Sequence, residues 1–245
     1  MEISIGNKIY RVIRGFLNFG VINGFKYAFA LLLRKNIQLK VRGIKKSVLV
    51  RGGDSDVVVV HDVLVKREYA SPPAENVELI LDLGANVGYS AVYFANMYPY
   101  TRIVAVEPQA DNFQCLLDNC KPYPNIIAEN KGVWWREAKV VPVKDSMDSW
   151  GYRFKEAEDG EGVYCSTIDQ LMDKYALEGG VMVKMDIEGA EREIFENNPD
   201  GWLSRTRYLQ LEIHDCWKSI FDEMSNYDYS AEINGENVVI ELLGN

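Results

Sequence analysis

A glycine-rich turn follows an apolar run in the middle of the sequence. Residues 79–83 have the composition of a buried strand, and Gly84-Ala85-Asn86-Val87-Gly88 then leads into a helical pattern. Glycines let the backbone turn tightly and approach a ligand closely, beside the positive end of a helix. Glu107 ends the next apolar run, where a carboxylate can accept hydrogen bonds from both hydroxyls of a ribose. Together these residues predict a site for an adenosine-type ligand.

Asp82 and the glycine pattern indicate which adenosine ligand is favoured. A dinucleotide loop has the pattern G-x-G-x-x-G, but here Asn86 stands between Gly84 and Gly88. A negative charge at Asp82 would repel a pyrophosphate, whereas it would suit a sulfonium or ammonium group. The loop therefore favours S-adenosylmethionine as the cofactor. A nicotinamide-dependent oxidoreductase on a Rossmann sheet is the alternative enzyme class.

Two polar pairs end the next two predicted strands. Lys184 and Asp186 are two residues apart, so their side chains point to the same face, and Glu212 and His214 repeat that spacing on the following strand. His214 is a candidate general base, because the reference pKa of histidine is about 6.5. The alternative for His214 is a structural histidine that bonds a backbone carbonyl.

Asp186 has three candidate roles at the carboxyl end of its strand. It could orient the acceptor hydroxyl, accept the hydroxyl proton, or bind Mg²⁺ or Mn²⁺ together with Glu212 and His214. No spacing in the sequence requires a metal. Glu188 follows closely enough to be a catalytic or substrate-contact candidate, whereas Glu191 is expected to complement the dipole of the next helix.

Strand and helix patterns alternate from residue 78 onward, which predicts an α/β fold with a largely parallel sheet covered on both faces. Asn234-Gly235 stands between two apolar runs and predicts a terminal antiparallel hairpin, so the sheet is mixed. Residues 133–143 suggest a pair of short strands, and residues 144–162 suggest a polar loop.

The composition divides the chain into three parts. Residues 1–46 form a basic helical extension, residues 47–77 a short β-rich lead-in, and residues 78–245 an S-adenosylmethionine-binding catalytic domain. Within the lead-in, 47–51 and 57–60 are expected to be strands joined by a glycine-containing turn.

Five sequence runs resemble the FkbM-type methyltransferase family. They are RGGDSD (51–56), DLGANVGYS (82–90), VEP (106–108), STID (166–169) and KMDIEGAE (184–191). The resemblance covers roughly residues 48–215, and the run DIEGAE is its most specific part.

This resemblance implies a class I methyltransferase fold, a Rossmann-like sheet of seven strands that are parallel except for one strand of the terminal hairpin. It also implies O-methylation of a hydroxyl on a sugar, glycan or related metabolite, as in polysaccharide biosynthesis. Within the cofactor site, it implies that Asp82, Gly84 and Gly88 contact or shape the space around the methionine moiety and that Glu107 holds the ribose. The motif positions that carry over to cofactor binding are Asp82, Gly84, Ala85, Asn86, Gly88, Glu107 and Asp186, with Gly132 and Val133 at the adenine position.

Basic residues are concentrated at the start of the sequence. Residues 1–51 carry eleven of the 27 basic residues and one of the 36 acidic residues, a local charge of +10 against −19 for the rest. Apolar residues recur at spacings of three and four over residues 5–34, which predicts a helix that is broken or bent at Gly20 and at Asn23-Gly24. The apolar stretch 27–33 is too short to span a bilayer. The helix is expected either to pack on its own domain or to contact a membrane surface or partner through residues 5–46.

Charge and cysteine content narrow the functional classes. The net charge of −9 argues against a general nucleic-acid binder, whose surface must neutralise phosphates. Four cysteines without a CxxC pair argue against a disulfide scaffold or zinc finger and fit a reducing compartment. We therefore expect a cytoplasmic enzyme that acts on a small-molecule or glycan acceptor. The alternative location is a peripheral attachment to the inner face of the membrane. The second alternative is a non-enzymatic module that binds an adenosyl ligand and docks through its basic helix.

Overall fold

A seven-stranded mixed sheet forms the centre of the computed structural model. The structure describes residues 5–52, 55–70, 76–143, 153–157, 161–175, 179–197, 199–213, 216–234 and 237–243. His214, the predicted general base, lies outside these residues, as do two parts of the predicted loop, 144–152 and 158–160.

Four elements precede the main sheet. They are α1 (Ile5–Leu33), β1 (Ile37–Leu39), β2 (Val48–Val50) and α2 (Asp56–Leu64). Strands β1 and β2 pair antiparallel, with Gln38 opposite Leu49. The predicted N-terminal helix is confirmed, and its backbone leaves helical geometry at Gly20 (φ 75°, ψ 177°), as predicted. The second predicted break is wrong, because Asn23 and Gly24 keep helical geometry.

The prediction of a strand at 57–60 is wrong, because these residues belong to α2. Consecutive valines favour a strand by local propensity. Burial decides otherwise here, since Val57, Val60 and Val63 recur every three residues and all three enter the core. The described part of 47–77 is therefore not β-rich: before β3 it contains one strand and one helix.

Three parallel strands and two helices form the first half of the main sheet. In chain order they are β3 (Val77–Leu83), α3 (Tyr89–Met97), β4 (Arg102–Val106), α4 (Ala110–Cys120) and β5 (Ile126–Glu129). Leu81 of β3 lies opposite Val104 of β4, which in turn lies opposite Ile127 of β5. The carboxyl ends of all three strands therefore lie at one edge of the sheet.

A second sheet of four short strands follows β5 in the chain. Its strands are β6 (Gly132–Val133), β7 (Ala138–Val143), β8 (Arg153–Glu156) and β9 (Val163–Ser166), in the order β6-β9-β7-β8. Strands β6 and β7 confirm the pair predicted over 133–143. Strand β8 interrupts the predicted loop at 144–162. It has no apolar run to mark it in the sequence, and it is a strand because it pairs antiparallel with β7.

The rest of the chain completes the main sheet. The elements are α5 (Ile168–Tyr175), β10 (Gly180–Met185), α6 (Glu191–Glu196), α7 (Asp200–Leu203), β11 (Thr206–Glu212), α8 (Trp217–Met224), β12 (Tyr229–Asn234) and β13 (Asn237–Leu242). The strand order is β12-β13-β11-β10-β3-β4-β5, and β13 runs antiparallel to both of its neighbours. This confirms the mixed seven-stranded sheet of the class I methyltransferase fold, with its single antiparallel strand in the terminal hairpin.

Alternate residues of the central strands enter apolar clusters on opposite faces of the sheet. Ile80 belongs to a cluster that includes Phe19 and Tyr27 of α1, whereas Leu81 belongs to a cluster that includes Ile220 of α8. Strands buried on both faces read as continuous apolar runs, which is why the sequence marks them clearly. One side of the basic N-terminal helix therefore packs on its own domain.

Arg51 forms hydrogen bonds that connect the start of α2 with α4. Its guanidinium donates to both carboxylate oxygens of Asp56, at 2.9 and 2.8 Å, and to Oδ1 of Asn112 at 2.8 Å. Asp56 is 1% exposed, so its negative charge has to be compensated by the two hydrogen bonds from the Arg51 guanidinium. Arg51 and Asp56, the two ends of the run RGGDSD, thus have a structural function ahead of the main sheet.

Replacing Arg51 by alanine should destabilise the fold, because it leaves the buried Asp56 carboxylate without its cation. We expect Arg51→Ala to lower the free energy of unfolding by about 3 kcal/mol, near the lower bound for a buried pair. The matched control is Arg205→Ala, which removes an ion pair with the exposed Asp173 and should cost about 0–1 kcal/mol. Urea unfolding measures both changes, and equal losses in the two variants would contradict the assignment.

Candidate active site

An open cleft lies where the order of strands reverses, at the carboxyl ends of β3, β4 and β10. The empty space between its lining residues, counted together with the open solvent at its mouth, is about 830 Å³. Ligands of open α/β sheets bind at this switch point. The predicted site residues that line the cleft are Gly84, Asn86, Glu107, Gly132, Val133, Asp186 and Glu188.

Glu107 is held at the cleft by two backbone amides. Its Oε2 accepts from the amide of Asn86 at 2.9 Å and its Oε1 from the amide of Gln109 at 2.8 Å. Each carboxylate oxygen has a further lone pair, so two more donors can be accepted. Burial raises the pKa of Glu107, and the two amide hydrogen bonds only partly offset that effect. A glutamate oriented in this way can hold two adjacent hydroxyls.

Gly84 brings two loops into backbone contact. It has a φ of 76°, and a Cβ built on it would lie 1.8 Å from the carbonyl oxygen of Asp186. A side chain there would clash with the backbone, so the close approach requires glycine. Ala85 and Gly88, also predicted to bind cofactor, are not among the residues that line the cleft. Ala85 is buried in the core, and Gly88 lies before α3 with φ 86°.

Asp82 lies behind the loop and does not line the cleft. The carboxylate is fully buried, with Oδ1 3.3 Å from Nζ of Lys184 and Oδ2 accepting from the hydroxyl of Ser90 at 2.6 Å. Its charge is thus compensated by a lysine, and the prediction that Asp82 acts directly on a sulfonium is wrong for this buried carboxylate. Of the two roles implied for Asp82, the structure favours shaping the site over contact with a ligand.

Lys184 connects the two loops through its buried ammonium. Besides Asp82, its Nζ lies 3.7 Å from Oδ2 of Asp186 and donates to the carbonyl oxygen of Gly84 at 3.0 Å. Burial acts to lower the pKa of Lys184, but the carboxylates of Asp82 and Asp186 outweigh it and raise that pKa. The sequence prediction that Lys184 and Asp186 share a face is confirmed.

Tyr69 is a site residue that sequence reasoning missed. Its hydroxyl donates to Oδ2 of Asp186 at 3.2 Å, and its ring lies 5.0 Å from Nζ of Lys184. Burial, followed by the negative charge of Asp186, raises the pKa of Tyr69 well above its ordinary value, so the phenol stays a donor. Tyr69 lies outside any strand or helix and outside the family runs, and nothing in its sequence neighbourhood marks it.

The loop after β10 presents Glu188 to the cleft. Glu188 and Gly189 both have positive φ, 56° and 95°, which turns the chain sharply between strand and helix. Oε1 of Glu191 accepts from the amide of Ile187 at 3.0 Å, so Glu191 stabilises this turn from inside the fold. Glu191 is fully buried, and this hydrogen bond adds to the helix-dipole role expected for it.

The predicted metal set is only partly described. Glu212 ends β11 next to β10, close enough for its charge to act on Tyr69 and Lys184. His214 lies outside the described residues, so its position beside Asp186 stays a prediction. Among the residues that the structure describes, no group of three or more His, Cys, Asp or Glu side chains is arranged to hold a metal ion.

Gly132 and Val133, predicted for the adenine position, form β6 and line the opposite wall of the cleft. This wall belongs to the second sheet, where β6 pairs with β9 and Val133 lies opposite Ser166. Trp134, the next residue, is also buried along the cleft. The cleft therefore has one wall of loops from the main sheet and one wall of short strands.

A family model, the methyltransferase FkbM domain, matches residues 82–231. The chain belongs to the FkbM methyltransferase family. The family resemblance is thereby confirmed: four of the five sequence runs lie inside the matched residues, whereas RGGDSD (51–56) precedes them. The residues that line the cleft, 84–190, all lie within the matched range.

The chain is also similar to individual proteins. It is 24% identical over 177 residues to the AMB antimetabolite synthetase AmbE of Pseudomonas aeruginosa. That match covers 56% of this chain and 8% of the synthetase, so the chain spans a small part of this curated relative. Aeropyrum pernix fibrillarin in complex with S-adenosyl-L-methionine is 15% identical with a TM-score of 0.42, covering 71% of this chain and 70% of that one. A methyltransferase from Geobacter sulfurreducens is 10% identical with a TM-score of 0.42, covering 78% and 89%.

Removing the Lys184 ammonium should destabilise this FkbM domain strongly. Lys184→Met leaves two carboxylates uncompensated, and we expect the free energy of unfolding to fall by about 3–5 kcal/mol. The double variant Asp82→Asn/Lys184→Met should recover part of that loss, because one of the buried charges is then gone. Urea unfolding gives both values.

The matched control is Lys218→Met, which removes an exposed lysine paired with Asp222 along α8 and should change stability by about 0.5 kcal/mol or less. A Lys184→Met variant as stable as this control would show that the buried ammonium does not hold the two loops together.

Proposed function

We propose that this FkbM protein is an S-adenosylmethionine-dependent methyltransferase that methylates a hydroxyl of a sugar, glycan or related metabolite. The observation that carries the proposal is the cleft at the strand switch point, with Glu107 held at its edge by backbone amides. The hydroxyl acceptor follows from the family resemblance, and the same resemblance favours a role in polysaccharide biosynthesis.

The residues of the cleft fit an adenosyl cofactor. Glu107 has acceptor capacity for the two ribose hydroxyls, and Gly132 and Val133 offer an apolar strand edge for the adenine. Gly84 and Asn86 would bring backbone atoms close to the methionine moiety. When bound, S-adenosylmethionine supplies an electrophilic methyl group on a sulfonium centre. The chain itself has to align the acceptor with that group, and alignment alone provides a large part of such an acceleration.

The charge of the cleft supports this cofactor over a nicotinamide dinucleotide. Glu107, Asp186 and Glu188 line the cleft, against the single cation Lys131 among its described lining residues. A negative lining favours a sulfonium and disfavours a pyrophosphate. It also disfavours a nucleic-acid acceptor, whose phosphates would meet like charge.

Asp186 and His214 are our candidates for handling the acceptor. Tyr69 and Lys184 fix Oδ2 of Asp186 at the cleft wall, so this carboxylate can orient an acceptor hydroxyl as a catalytic residue. His214 would accept the hydroxyl proton as the oxygen–carbon bond forms, and Glu188 would contact the acceptor. Asp186, Glu212 and His214 could also bind a divalent ion, but the proposed reaction does not require one.

Glu107→Gln should weaken cofactor binding, because it removes the charge that accepts the ribose hydroxyls. We expect the dissociation constant for S-adenosylmethionine to rise about 10- to 100-fold, the value of one or two charge-assisted hydrogen bonds. Isothermal titration calorimetry with S-adenosylmethionine, S-adenosylhomocysteine and NAD measures these dissociation constants.

The affinity of the wild-type protein for S-adenosylmethionine should also depend on pH. Because the pKa of Glu107 is raised above 4.5, this affinity should fall on acidification, with a midpoint above that value. This pH dependence should be absent in Glu107→Gln.

The matched control is Glu137→Gln, the same change at an exposed glutamate that does not line the cleft. It should leave the dissociation constant unchanged. Tight binding of NAD without binding of S-adenosylmethionine would replace the proposal with the oxidoreductase alternative.

His214→Ala should slow methyl transfer while leaving cofactor binding intact. We expect turnover to fall about 10²- to 10⁴-fold in His214→Ala, the contribution of a positioned general base. The assay measures S-adenosylhomocysteine released in the presence of a panel of sugar and glycan acceptors. Unchanged turnover in His214→Ala would remove that residue from the mechanism. Cofactor binding without release on any acceptor would favour the non-enzymatic module.

A further inference from the structure

Helix α1 consists of two segments that fold back on each other at Gly20. A Cβ built on Gly24 would lie 2.8 Å from the Cα of Phe16, and the rings of Phe16 and Phe25 meet edge to face at 4.9 Å. Residues eight apart in a continuous helix are separated by about 12 Å of rise, so these contacts require the break.

The inner side of this folded helix is attached to the domain. The hydroxyl of Tyr27 donates to the carbonyl oxygen of Val57 at 2.9 Å, and Asn18 bonds the ring of His61 at 2.9 Å. Tyr27 is 1% exposed and belongs to the same core cluster as the main sheet. The orientation of α1 is therefore set by the fold.

The outer side of α1 carries an unusual amount of exposed apolar surface. In the second segment the exposed residues Ile22, Phe25, Phe29 and Leu32 recur at three and four, so they form one stripe. Among residues 9–33 of the helix, the exposed large apolar side chains are Ile9, Tyr10, Ile13, Leu17, Val21, Ile22, Phe25, Phe29, Leu32 and Leu33, each 46–75% exposed. A continuous apolar surface of this kind marks a contact with another molecule or a membrane.

The same region is strongly basic. Residues 5–52 contain eleven Lys or Arg residues and no Asp or Glu. Lys40, Arg42 and Lys45 lie together along a second cleft beside the break in α1, which Asn18 and Asn23 also line. Apolar and basic surface in one place is complementary to a membrane with anionic headgroups, where each basic residue contributes about 1 kcal/mol.

The break at Gly20 determines whether the helix can span a bilayer or only lie on its surface. By length and composition alone, the stretch Ile9–Leu33 is long and apolar enough to cross a membrane. Residues 27–33, on which the sequence prediction rested, are too short to span a bilayer. The described segments on either side of Gly20 are each about 20 Å long at ~1.5 Å per residue, short of the ~30 Å hydrocarbon core. In the described conformation neither segment spans, so the helix would lie in the interface.

We propose that α1 docks this protein on the surface of a lipid bilayer with anionic headgroups. The exposed apolar side chains enter the interface, and the basic residues of 34–46 contact the headgroups, with Lys40, Arg42 and Lys45 around the second cleft. A second copy of the chain is the less favourable occupant, because it would set two basic regions against each other. The proposal stands independently of the methyltransferase activity.

The test is co-sedimentation of the full chain with sucrose-loaded vesicles of phosphatidylcholine, with and without about 30% phosphatidylglycerol. We expect binding to the anionic vesicles that is reduced at high salt. The variant Leu17→Ser/Val21→Ser/Ile22→Ser should lower partitioning about tenfold or more. The variant Arg42→Glu/Lys45→Glu should lower partitioning onto the anionic vesicles by a similar factor. All of these side chains are exposed, so the fold should persist, which circular dichroism checks.

The matched control is Tyr100→Ser/Ile233→Ser/Leu243→Ser, which removes three exposed large side chains far from α1 in sequence and should bind like wild type. Absence of wild-type binding to anionic vesicles at low salt would overturn the proposal, as would equal binding by the Leu17/Val21/Ile22 variant. A wild-type dimer in sedimentation velocity that this variant abolishes, without vesicle binding, would assign the surface to a second copy instead.

Discussion

The cleft depends on one buried positive charge, the ammonium of Lys184. Asp82 of β3 lies opposite Lys184 of β10 in the sheet, and Asp186 follows at the end of the same strand. An ammonium removed from water is costly unless carboxylates and carbonyls surround it. Lys184 meets that requirement with two carboxylates and the carbonyl oxygen of Gly84, so it joins the loop after β3 to the loop after β10.

The consequences of that connection reach both walls of the cleft. Because the two loops are held together, Gly84 must pass against the backbone of Asp186, where no side chain fits. The amide of Asn86 is then placed to hold Glu107, and the turn at Glu188 faces the same space. The second sheet closes the other wall with apolar strand edges. A negatively lined cleft with one apolar wall is the result, and its chemistry matches a cationic adenosyl ligand.

Local sequence patterns were misleading where tertiary contacts outweigh local preference. The four valines at 57–60 favour a strand, yet burial at helical spacing makes them part of α2. Strand β8 has no apolar pattern and exists through its pairing with β7. Asp82 has the sequence position of a ligand-facing acid, but a lysine 102 residues further along the chain neutralises it.

The sequence by itself determined the alternation of strands and helices, the terminal hairpin, the glycine loop with Glu107, the presence of a break within the N-terminal helix and the basic N-terminal region. These features depend on backbone conformation, side-chain periodicity and charge, which are properties of short segments. Only the tertiary structure decided that Tyr69 contacts Asp186 across 117 residues, that Asp82 is compensated, and which side of α1 remains exposed. Contacts of that kind depend on how distant segments pack, and no local pattern encodes them.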